Sequence, residues 1–251
     1  MQVNNIYLGD ILVKERLGIL ASGRGSNFQA IMEHIDFDIL KDVEAEVLIS
    51  DNPDARALEV ADRFEISKKA IPPKNSDGRK SFEKKIHNVL KENNVSLVIL
   101  AGFMRIISPY LVGKYKNRIM NIHPSLLPSF PGLGAQKKAL EYGVKVSGCT
   151  IHYTTEEIDS GPIILQKPVP IEEGDEEKDL SKRTLIFEHR LYSKAIQLHV
   201  DERLSIENGR VIIDYSDNWK KDWNKRQKRF IEHQRKSWKK EIFKEAQKYA
   251  H

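Results

Sequence analysis

The sequence predicts an α/β fold with a doubly wound, mostly parallel sheet and an added basic amphipathic helix at the C-terminus. Short apolar runs alternate with longer segments whose apolar residues recur at helical spacing, which is typical of a parallel sheet with crossover helices. The run at residues 97–101 is apolar throughout, as in a strand that is buried on both faces. A Gly-rich turn joins the first run to the first helical segment, which favours a doubly wound arrangement.

The elements predicted for the first half of the chain follow a βαβαβ order. Phe28, Ile31, Met32 and Ile35 recur at helical spacing and place the first helix directly after the Gly-rich turn. The predicted strands are residues 17–21, 46–50 and 97–101, and the other predicted helices are residues 54–64 and 79–91.

The second half is predicted to add three strands and two helices. Residues 146–153 alternate between the two faces of a strand, and residues 162–169 are a candidate partner strand. The acidic residues between 174 and 179 indicate a solvated turn that leads into a long helix. The remaining predictions are a strand at residues 118–122 and helices at residues 136–142 and 181–200.

The charge of the chain is unevenly distributed. The 251 residues carry a net charge of +5, yet residues 218–251 alone hold 12 Lys and Arg against 4 Asp and Glu. The remaining residues hold 29 basic and 32 acidic side chains, so the body is weakly acidic. A nucleic-acid partner is therefore not indicated by the overall charge.

All three tryptophans lie in this basic tail, and its apolar residues recur near helical spacing at positions 219, 223, 230, 238 and 242. Such a helix can bind a membrane surface or nucleic acid. More often it docks its apolar face on its own domain or on a second subunit, which is what we expect here, and a homodimer stays open. The predicted division is an extension of residues 1–15, a main domain of residues 16–217 and a helical tail of residues 218–251.

Composition also excludes several classes of protein. The longest apolar run, residues 95–104, is far shorter than the roughly 20 residues that a membrane-spanning helix needs. Asp10, Lys14 and Glu15 lie where a signal peptide would be apolar. The single cysteine, Cys149, excludes an internal disulfide and a zinc site built from several cysteines. We therefore expect a cytoplasmic protein that does not insert into membranes.

The Gly-rich turn is the first candidate site. Gly23 and Gly25 flank Arg24 at the start of a helix, where exposed backbone N–H groups and the helix dipole favour a phosphate. The turn lacks the Gly-Lys-Ser/Thr of a nucleotide-binding P-loop, and Phe28 replaces the third glycine of a dinucleotide fingerprint, so a single phosphate monoester is indicated. The alternative is that Ser26 only caps the helix and the glycines only form the turn.

The second candidate site lies at the end of a predicted strand. Side chains alternate along an extended chain, so Asn121 and His123 point to one face while Ile122 packs on the other. The C-terminal edge of such strands is where open α/β sheets bind ligands. A single histidine is more often a structural residue, and that interpretation stays open at this point.

The third feature is the turn that contains Asp159, where an Asp is also favoured by turn geometry alone. Together the three features supply a phosphate site, an amide with an imidazole, and a carboxylate that could hold the imidazole in its protonated form. A metal site of His123, His152 and Asp159 is conceivable, but no metal-ligand spacing supports it, so no metal is predicted.

Four motifs then carry a family resemblance. They are Ala-Ser-Gly-Arg-Gly-Ser-Asn at residues 21–27, Ala-Gly-Phe-Met-Arg at 101–105, Asn-Ile-His-Pro-Ser-Leu-Leu-Pro at 121–128 and Asp-Ser-Gly-Pro at 159–162. With these motifs the chain resembles the folate-dependent formyltransferases from about residue 16 to residue 214. The resemblance implies a Rossmann-like fold and a formyltransferase of de novo purine biosynthesis, which passes the formyl group of 10-formyltetrahydrofolate to the amine of glycinamide ribonucleotide through a tetrahedral intermediate.

The resemblance also implies roles for individual residues. Asn121 and His123 match the catalytic pair that stabilises the developing oxyanion, and Asp159 matches the aspartate that keeps the histidine protonated and helps to move the amine proton through water. The positions that match ribonucleotide-binding residues are Gly25, Ser26, Asn27, Pro124 and Glu188. The positions that match the folate side are Arg79, Met104, Arg105, Ile106, Ile107, Thr155, Glu156, Glu157 and Ile158.

Two positions depart from the family pattern. Gly134 lies where many members carry a histidine, and Leu185 lies where relatives often carry a polar or basic residue. Ligand contacts that those side chains make in relatives are not expected here.

Other functions on the same scaffold stay open. Formyltetrahydrofolate hydrolases carry a regulatory domain ahead of this core, and the formyltransferases of methionyl-tRNA carry a C-terminal barrel; we expect neither within the short extensions here. Transfer to a nucleotide sugar is a further alternative, although the phosphate turn favours a small phosphorylated acceptor. A non-catalytic module that binds folate or nucleotide is disfavoured because Asn121, His123 and Asp159 are all present.

Overall fold

The computed structural model describes residues 14–215 and 218–248, with side chains of the last helix described as far as residue 233. Residues 1–13, most of the predicted N-terminal extension, lie outside this range. The strands of the main sheet are β1 (Glu15–Leu20), β2 (Val43–Ser50), β3 (Ser67–Ala70), β4 (Leu97–Leu100), β5 (Ile119–His123), β6 (Val146–Tyr153) and β7 (Ile163–Pro170).

The strand order of this sheet is β3-β2-β1-β4-β5-β6-β7. The five strands β1 to β5 run parallel, and β6 and β7 are antiparallel to their neighbours. The chain leaves β1 toward one edge of the sheet and leaves β4 toward the other, which opens a crevice beyond the C-terminal ends of these two strands. The predicted doubly wound, mostly parallel sheet is therefore confirmed.

Helices cover both faces of the sheet. Successive residues of β4 enter different cores: Leu97 and Ile99 pack with apolar residues of the first and sixth helices, and Val98 and Leu100 pack with residues of the third and fourth. This double burial explains why the strand is apolar throughout. The helices are α1 (Ser26–Asp36), α2 (Arg56–Arg63), α3 (Gly78–Glu92), α4 (Pro109–Lys114), α5 (Ala135–Tyr142), α6 (Glu177–Val200) and α7 (Trp219–Lys248).

Among the described residues, three strands and one α-helix were not predicted, and each is short. Strand β3 is an edge strand of sequence Ser-Lys-Lys-Ala whose first three residues are exposed, so it has no apolar pattern. Helix α4 spans six residues after Ser108, and a separate hairpin is formed by β8 (Leu204–Glu207) and β9 (Arg210–Ile213).

Helix α6 begins at Glu177, four residues before the predicted start, because Glu176 and Asp179 form a capping box.

The first turns of α7 pack on the main domain. Trp219, Trp223 and Phe230 are buried in a cluster with Ile39 and Leu198, which we call the tail patch. The indole rings of Trp219 and Trp223 are stacked with their centroids 5.7 Å apart. For these side chains the predicted docking on the chain's own domain is confirmed, whereas the predicted apolar side chains at 238 and 242 lie outside the described residues.

Over the described part of the chain, no helix is both long and apolar enough to cross a membrane.

Candidate active site

The Gly-rich turn places bare backbone N–H groups at the start of α1. The residue that caps the helix is Gly25, in the left-handed conformation with φ of 75°, and no described side chain caps the first turn. Ser26 is the first helical residue, so the alternative in which Ser26 only caps the helix is wrong. A Cβ atom at Gly25 would lie 2.8 Å from the Cα of Ala57 in α2. Glycine is therefore required by both the turn and its close packing.

Asn27 and Glu188 meet beside this turn. The Nδ2 atom of Asn27 donates a hydrogen bond of 2.8 Å to Oε2 of Glu188, which α6 carries across from the far part of the sequence. Burial raises the pKa of the Glu188 carboxyl, while the hydrogen bond from Asn27 and the charge of Arg24 oppose that shift. The structure thus joins two of the residues predicted to bind the ribonucleotide.

Asn121, His123 and Asp159 converge at the end of β5. Asp159 Oδ1 lies 3.4 Å from Asn121 Nδ2, and Asp159 Oδ2 lies 3.3 Å from His123 Nδ1. The other ring nitrogen of His123 lies 2.9 Å from the carbonyl oxygen of Phe130. Because carbonyl and carboxylate oxygens only accept hydrogen bonds, a ring with a hydrogen on both nitrogens satisfies both contacts. The Asn121 and His123 side chains therefore both face the Asp159 carboxylate.

The loop after β6 holds Asp159 in place. Asp159 has a positive φ of 51°, and its Oδ2 accepts a hydrogen bond of 2.7 Å from the backbone N–H of Gly132. A Cβ at Gly161 would lie only 1.7 Å from the carbonyl oxygen of Tyr153, so the loop can press against β6 only with glycine there. The carboxylate is thereby fixed between two loops that are distant in sequence.

His152 belongs to this cluster and was not predicted as a site residue. Its Nε2 lies 3.1 Å from Asn121 Nδ2 and 3.7 Å from Asp159 Oδ1, and its ring is buried. Burial lowers the pKa of His152; the hydrogen bond to the Tyr153 carbonyl and the charge of Asp159 oppose this shift, and the charge of His123 adds to it. The sequence signal that could have found His152 is its place on a predicted strand opposite Asn121, which requires the register of the two strands.

A cavity of about 900 Å³ opens beside the cluster. Its lining includes Asn121, His123, Asp159 and Pro124. Gly25, Ser26, Asn27 and Glu188 lie outside the lining. All nine positions predicted for the folate side are part of the lining, namely Arg79, Met104, Arg105, Ile106, Ile107, Thr155, Glu156, Glu157 and Ile158.

Buried and half-buried acids support the loop that follows β4. The Glu83 carboxylate accepts hydrogen bonds from the backbone N–H and the hydroxyl of Ser108 and lies 3.5 Å from Arg79. Arg79 also donates to the carbonyl of Ile106. Arg105 forms an ion pair of 2.7 Å with Asp51, so the charge of Arg105 is paired. These contacts hold one wall of the cavity in place.

The two departures from the family pattern lie in different places. Gly134 lines the cavity and caps α5 in the left-handed conformation with φ of 69°. Leu185 is half-buried on α6 and lies outside the lining. Within the described ranges, no three His, Cys, Asp or Glu side chains are placed so that they could hold a metal ion.

Comparisons with known proteins identify the family of the chain. A family model described as formyl transferase matches residues 15–196. The chain is 40% identical to phosphoribosylglycinamide formyltransferase of Bacillus subtilis over 73% of its own length and 93% of that protein. It is also 40% identical to the human trifunctional purine biosynthetic protein adenosine-3 over 79% of its own length, but it spans only 20% of that protein.

Solved structures of formyltransferases also match this chain. Glycinamide ribonucleotide transformylase 1 of Symbiobacterium toebii superposes with a TM-score of 0.79 and 44% identity, covering 84% of this chain and 98% of that one. A formyltetrahydrofolate deformylase of Pseudomonas syringae reaches a TM-score of 0.74 at 26% identity, covering 80% of this chain and 66% of that one. The chain belongs to the formyl transferase family.

Proposed function

We propose that this chain is a phosphoribosylglycinamide formyltransferase, which transfers the formyl group of 10-formyltetrahydrofolate to the amine of glycinamide ribonucleotide in de novo purine biosynthesis. The observation that carries the proposal is the convergence of Asn121 and His123 on the Asp159 carboxylate, at the wall of a large cavity. Relatives with this reaction in their names align with nearly their whole length, which supports the choice of substrates.

The three polar residues fit the chemistry of acyl transfer. The amine of the ribonucleotide attacks the formyl carbon, and negative charge develops on the formyl oxygen in the tetrahedral intermediate. The N–H groups of Asn121 and His123, which face Asp159 in this structure, would donate hydrogen bonds to that oxygen. These hydrogen bonds stabilise the transition state more than the substrate, because the negative charge develops only as the reaction proceeds. Asp159 takes up the amine proton through water, the bond from carbon to the folate nitrogen breaks, and the proton ends on that nitrogen.

The turn at Gly25 and Ser26 binds the phosphate of the ribonucleotide through the uncapped N–H groups of the first turn of α1. Asn27, in the first turn of α1, belongs to the same phosphate site, and the buried Glu188 that accepts a hydrogen bond from it binds the ribose and glycinamide end. Pro124 directly follows His123 and stiffens the start of the loop after β5.

The folate co-substrate occupies the cavity. The exposed side chains of Met104 and Ile106 offer an apolar wall to a flat ring, and Ile107 and Ile158 extend it. Arg79 and Arg105 supply positive charge for a carboxylate of the folate. The remaining wall is the loop of Thr155, Glu156 and Glu157.

We place the enzyme in the cytoplasm, with small-molecule partners and no membrane or nucleic-acid partner; a homodimer is an open alternative. Hydrolysis of formyltetrahydrofolate is the second candidate, and lower identity to the deformylase of Pseudomonas syringae than to the transformylase of Symbiobacterium toebii disfavours it.

The test is formyl transfer from 10-formyltetrahydrofolate with and without glycinamide ribonucleotide. We expect turnover only when the acceptor is present, and turnover without the acceptor would instead identify a hydrolase. Asp159→Asn removes the group that takes up the amine proton, so the acid limb of the pH profile of kcat should shift. An acid limb identical to that of the wild type would contradict the role of Asp159.

A further inference from the structure

Asn121 and His152 form a directly opposed pair across the antiparallel strands β5 and β6. His152 is 1% exposed and lies beside Asn121 in the catalytic cluster. Its two ring nitrogens have different partners: Nδ1 lies 3.0 Å from the carbonyl oxygen of Tyr153, and Nε2 lies 3.1 Å from Asn121 Nδ2. The ring therefore joins a rigid backbone group to a side chain of the candidate catalytic pair.

The partners determine where the hydrogens lie. A carbonyl oxygen only accepts, so Nδ1 of His152 must carry the ring hydrogen, and in the neutral ring Nε2 is then an acceptor. An acceptor at Nε2 requires the amino group of Asn121 to face it, since the amide oxygen would place two acceptors in contact. Asp159 Oδ1, at 3.4 Å from the same amino group, makes the same demand. Two independent acceptors thus select one orientation of the Asn121 amide.

We propose that His152 is a positioning residue, which holds the Asn121 amino group toward the reacting oxygen by accepting a hydrogen bond at Nε2. The inference rests on the proposed function, in which Asn121 donates to the formyl oxygen. One hydrogen of the amino group is committed to His152, and the other makes the longer contact to Asp159 and is the one released to substrate. Without His152, the amide can rotate and present its oxygen to the developing negative charge, which would oppose catalysis.

Protonation of His152 would reverse this arrangement. A hydrogen on Nε2 would face Asp159 Oδ1 at 3.7 Å and would repel the amino group of Asn121. The titratable groups around the ring are Asp159, which favours protonation, and His123, which opposes it. Burial favours the neutral ring, so the positioning contact is present at neutral pH and is lost under acid conditions.

The tautomer can be measured without any assay of activity. In protein labelled with ¹⁵N-histidine, His152→Gln identifies the His152 signals by their loss. We expect a neutral ring with hydrogen on Nδ1 near neutral pH. A hydrogen on Nε2, or a charged ring, at that pH would overturn the proposal.

Kinetics of two variants separate positioning from packing. His152→Gln retains an acceptor and should keep kcat within about fivefold of the wild type, whereas His152→Leu should lower kcat by about 10- to 100-fold with little change in KM. In an Asn121→Ala background, the further loss from His152→Leu should fall below about twofold, because the group that it positions is gone. An equal loss in both backgrounds would assign His152 a packing role and overturn the proposal.

The two hypotheses fail in different ways. A wild-type protein with the expected tautomer that does not formylate glycinamide ribonucleotide would overturn the proposed function, and with it the use made of Asn121. Full formyl transfer by a protein in which Nε2 of His152 carries the hydrogen would overturn the positioning role alone.

Discussion

Two buried histidines in this fold have opposite surroundings. His34 lies at the end of α1 under the tail patch, where its Nδ1 bonds the hydroxyl of Ser193 at 2.6 Å and the ring of Phe230 packs edge-on at 4.6 Å. His123 lies at the end of β5 between the Asp159 carboxylate and the carbonyl of Phe130. Both residues are at most 5% exposed, so burial alone does not distinguish them.

The difference lies in the acceptors around each ring. Burial lowers the pKa of His34 to about 4, and the charges of His189 and Arg190 add to the shift. A ring of this kind stays neutral and contributes packing. The ring of His123 faces two oxygen acceptors at the wall of a cavity. The comparison teaches that the acceptors of a histidine, and its access to a cavity, separate the candidate catalytic ring of His123 from the packing ring of His34.

The largest effect is expected for His123→Ala. The variant removes one of the two donors to the oxyanion, so kcat should fall by about 10²- to 10⁴-fold in the formyl transfer assay near neutral pH. His34→Gln is the matched control, because it removes an equally buried histidine remote from the reaction, and it should turn over at the wild-type rate. A decrease in kcat of less than about tenfold in His123→Ala would contradict a catalytic role for His123.

Trp223→Ala should reduce stability and leave turnover intact. The side chain is 4% exposed and stacks on Trp219, so its removal should lower the free energy of unfolding by about 3 to 5 kcal/mol. Urea denaturation measures the loss, and Lys225→Ala, an exposed position on the same helix, is the control. A change below about 1 kcal/mol would show that the tail patch adds little to the domain.

Acid destabilisation should depend on His34. Because its pKa in the folded protein, about 4, is lower than the ordinary value of 6.5, the unfolded chain binds a proton first as the pH falls. The free energy of unfolding should therefore drop by on the order of 3 kcal/mol between pH 6.5 and pH 4, and this residue should have no effect above that window.

The pH dependence is best measured as a difference between variants. His34→Gln cannot take up this proton, so its stability should fall less steeply over the same window than that of the wild type. His233→Gln, which removes an exposed histidine of α7, should retain the wild-type slope. Equal slopes for His34→Gln and the wild type would contradict the assignment of His34 as a buried neutral ring.

The smallest effect is expected for Arg226→Met. The Arg226 guanidinium lies 5.3 Å from the ring of Trp223 and donates a hydrogen bond of 2.8 Å to the carbonyl of Ile39. Methionine keeps most of the packing, so denaturation should show a loss of only about 1 kcal/mol. A loss as large as that of Trp223→Ala would mean that charge, and not apolar burial, anchors α7.

The sequence predicts those parts of the fold that bury apolar side chains periodically. Helix α1 and strand β4 are examples, since Phe28 and Ile31 face one core and successive β4 residues enter two cores. Strand β3 is not predictable in this way because its pairing with β2 is made by backbone groups, and its side chains face solvent at the sheet edge. Local patterns report burial, and β3 has almost none.

The same limit applies at the candidate site. Asn121, His123 and Asp159 are identifiable from their motifs, but the backbone groups of Phe130 and Gly132 that contact them carry no side-chain signal. Nor does a local pattern show that His152 lies opposite Asn121, since the register joins residues 31 positions apart in the sequence. Contacts that depend on register or on loop backbone become visible only in three dimensions.

The contact between Gly25 and Ala57 has a consequence for protein engineering. Because the Gly25 backbone packs closely on Ala57, the shape of the candidate anion-binding turn depends on two helices, although only one of them presents N–H groups. Grafting residues 21–27 alone onto another scaffold would leave the turn without its support. A transplant that carries α2 as well, with a small residue at position 57, would preserve the shape of the turn.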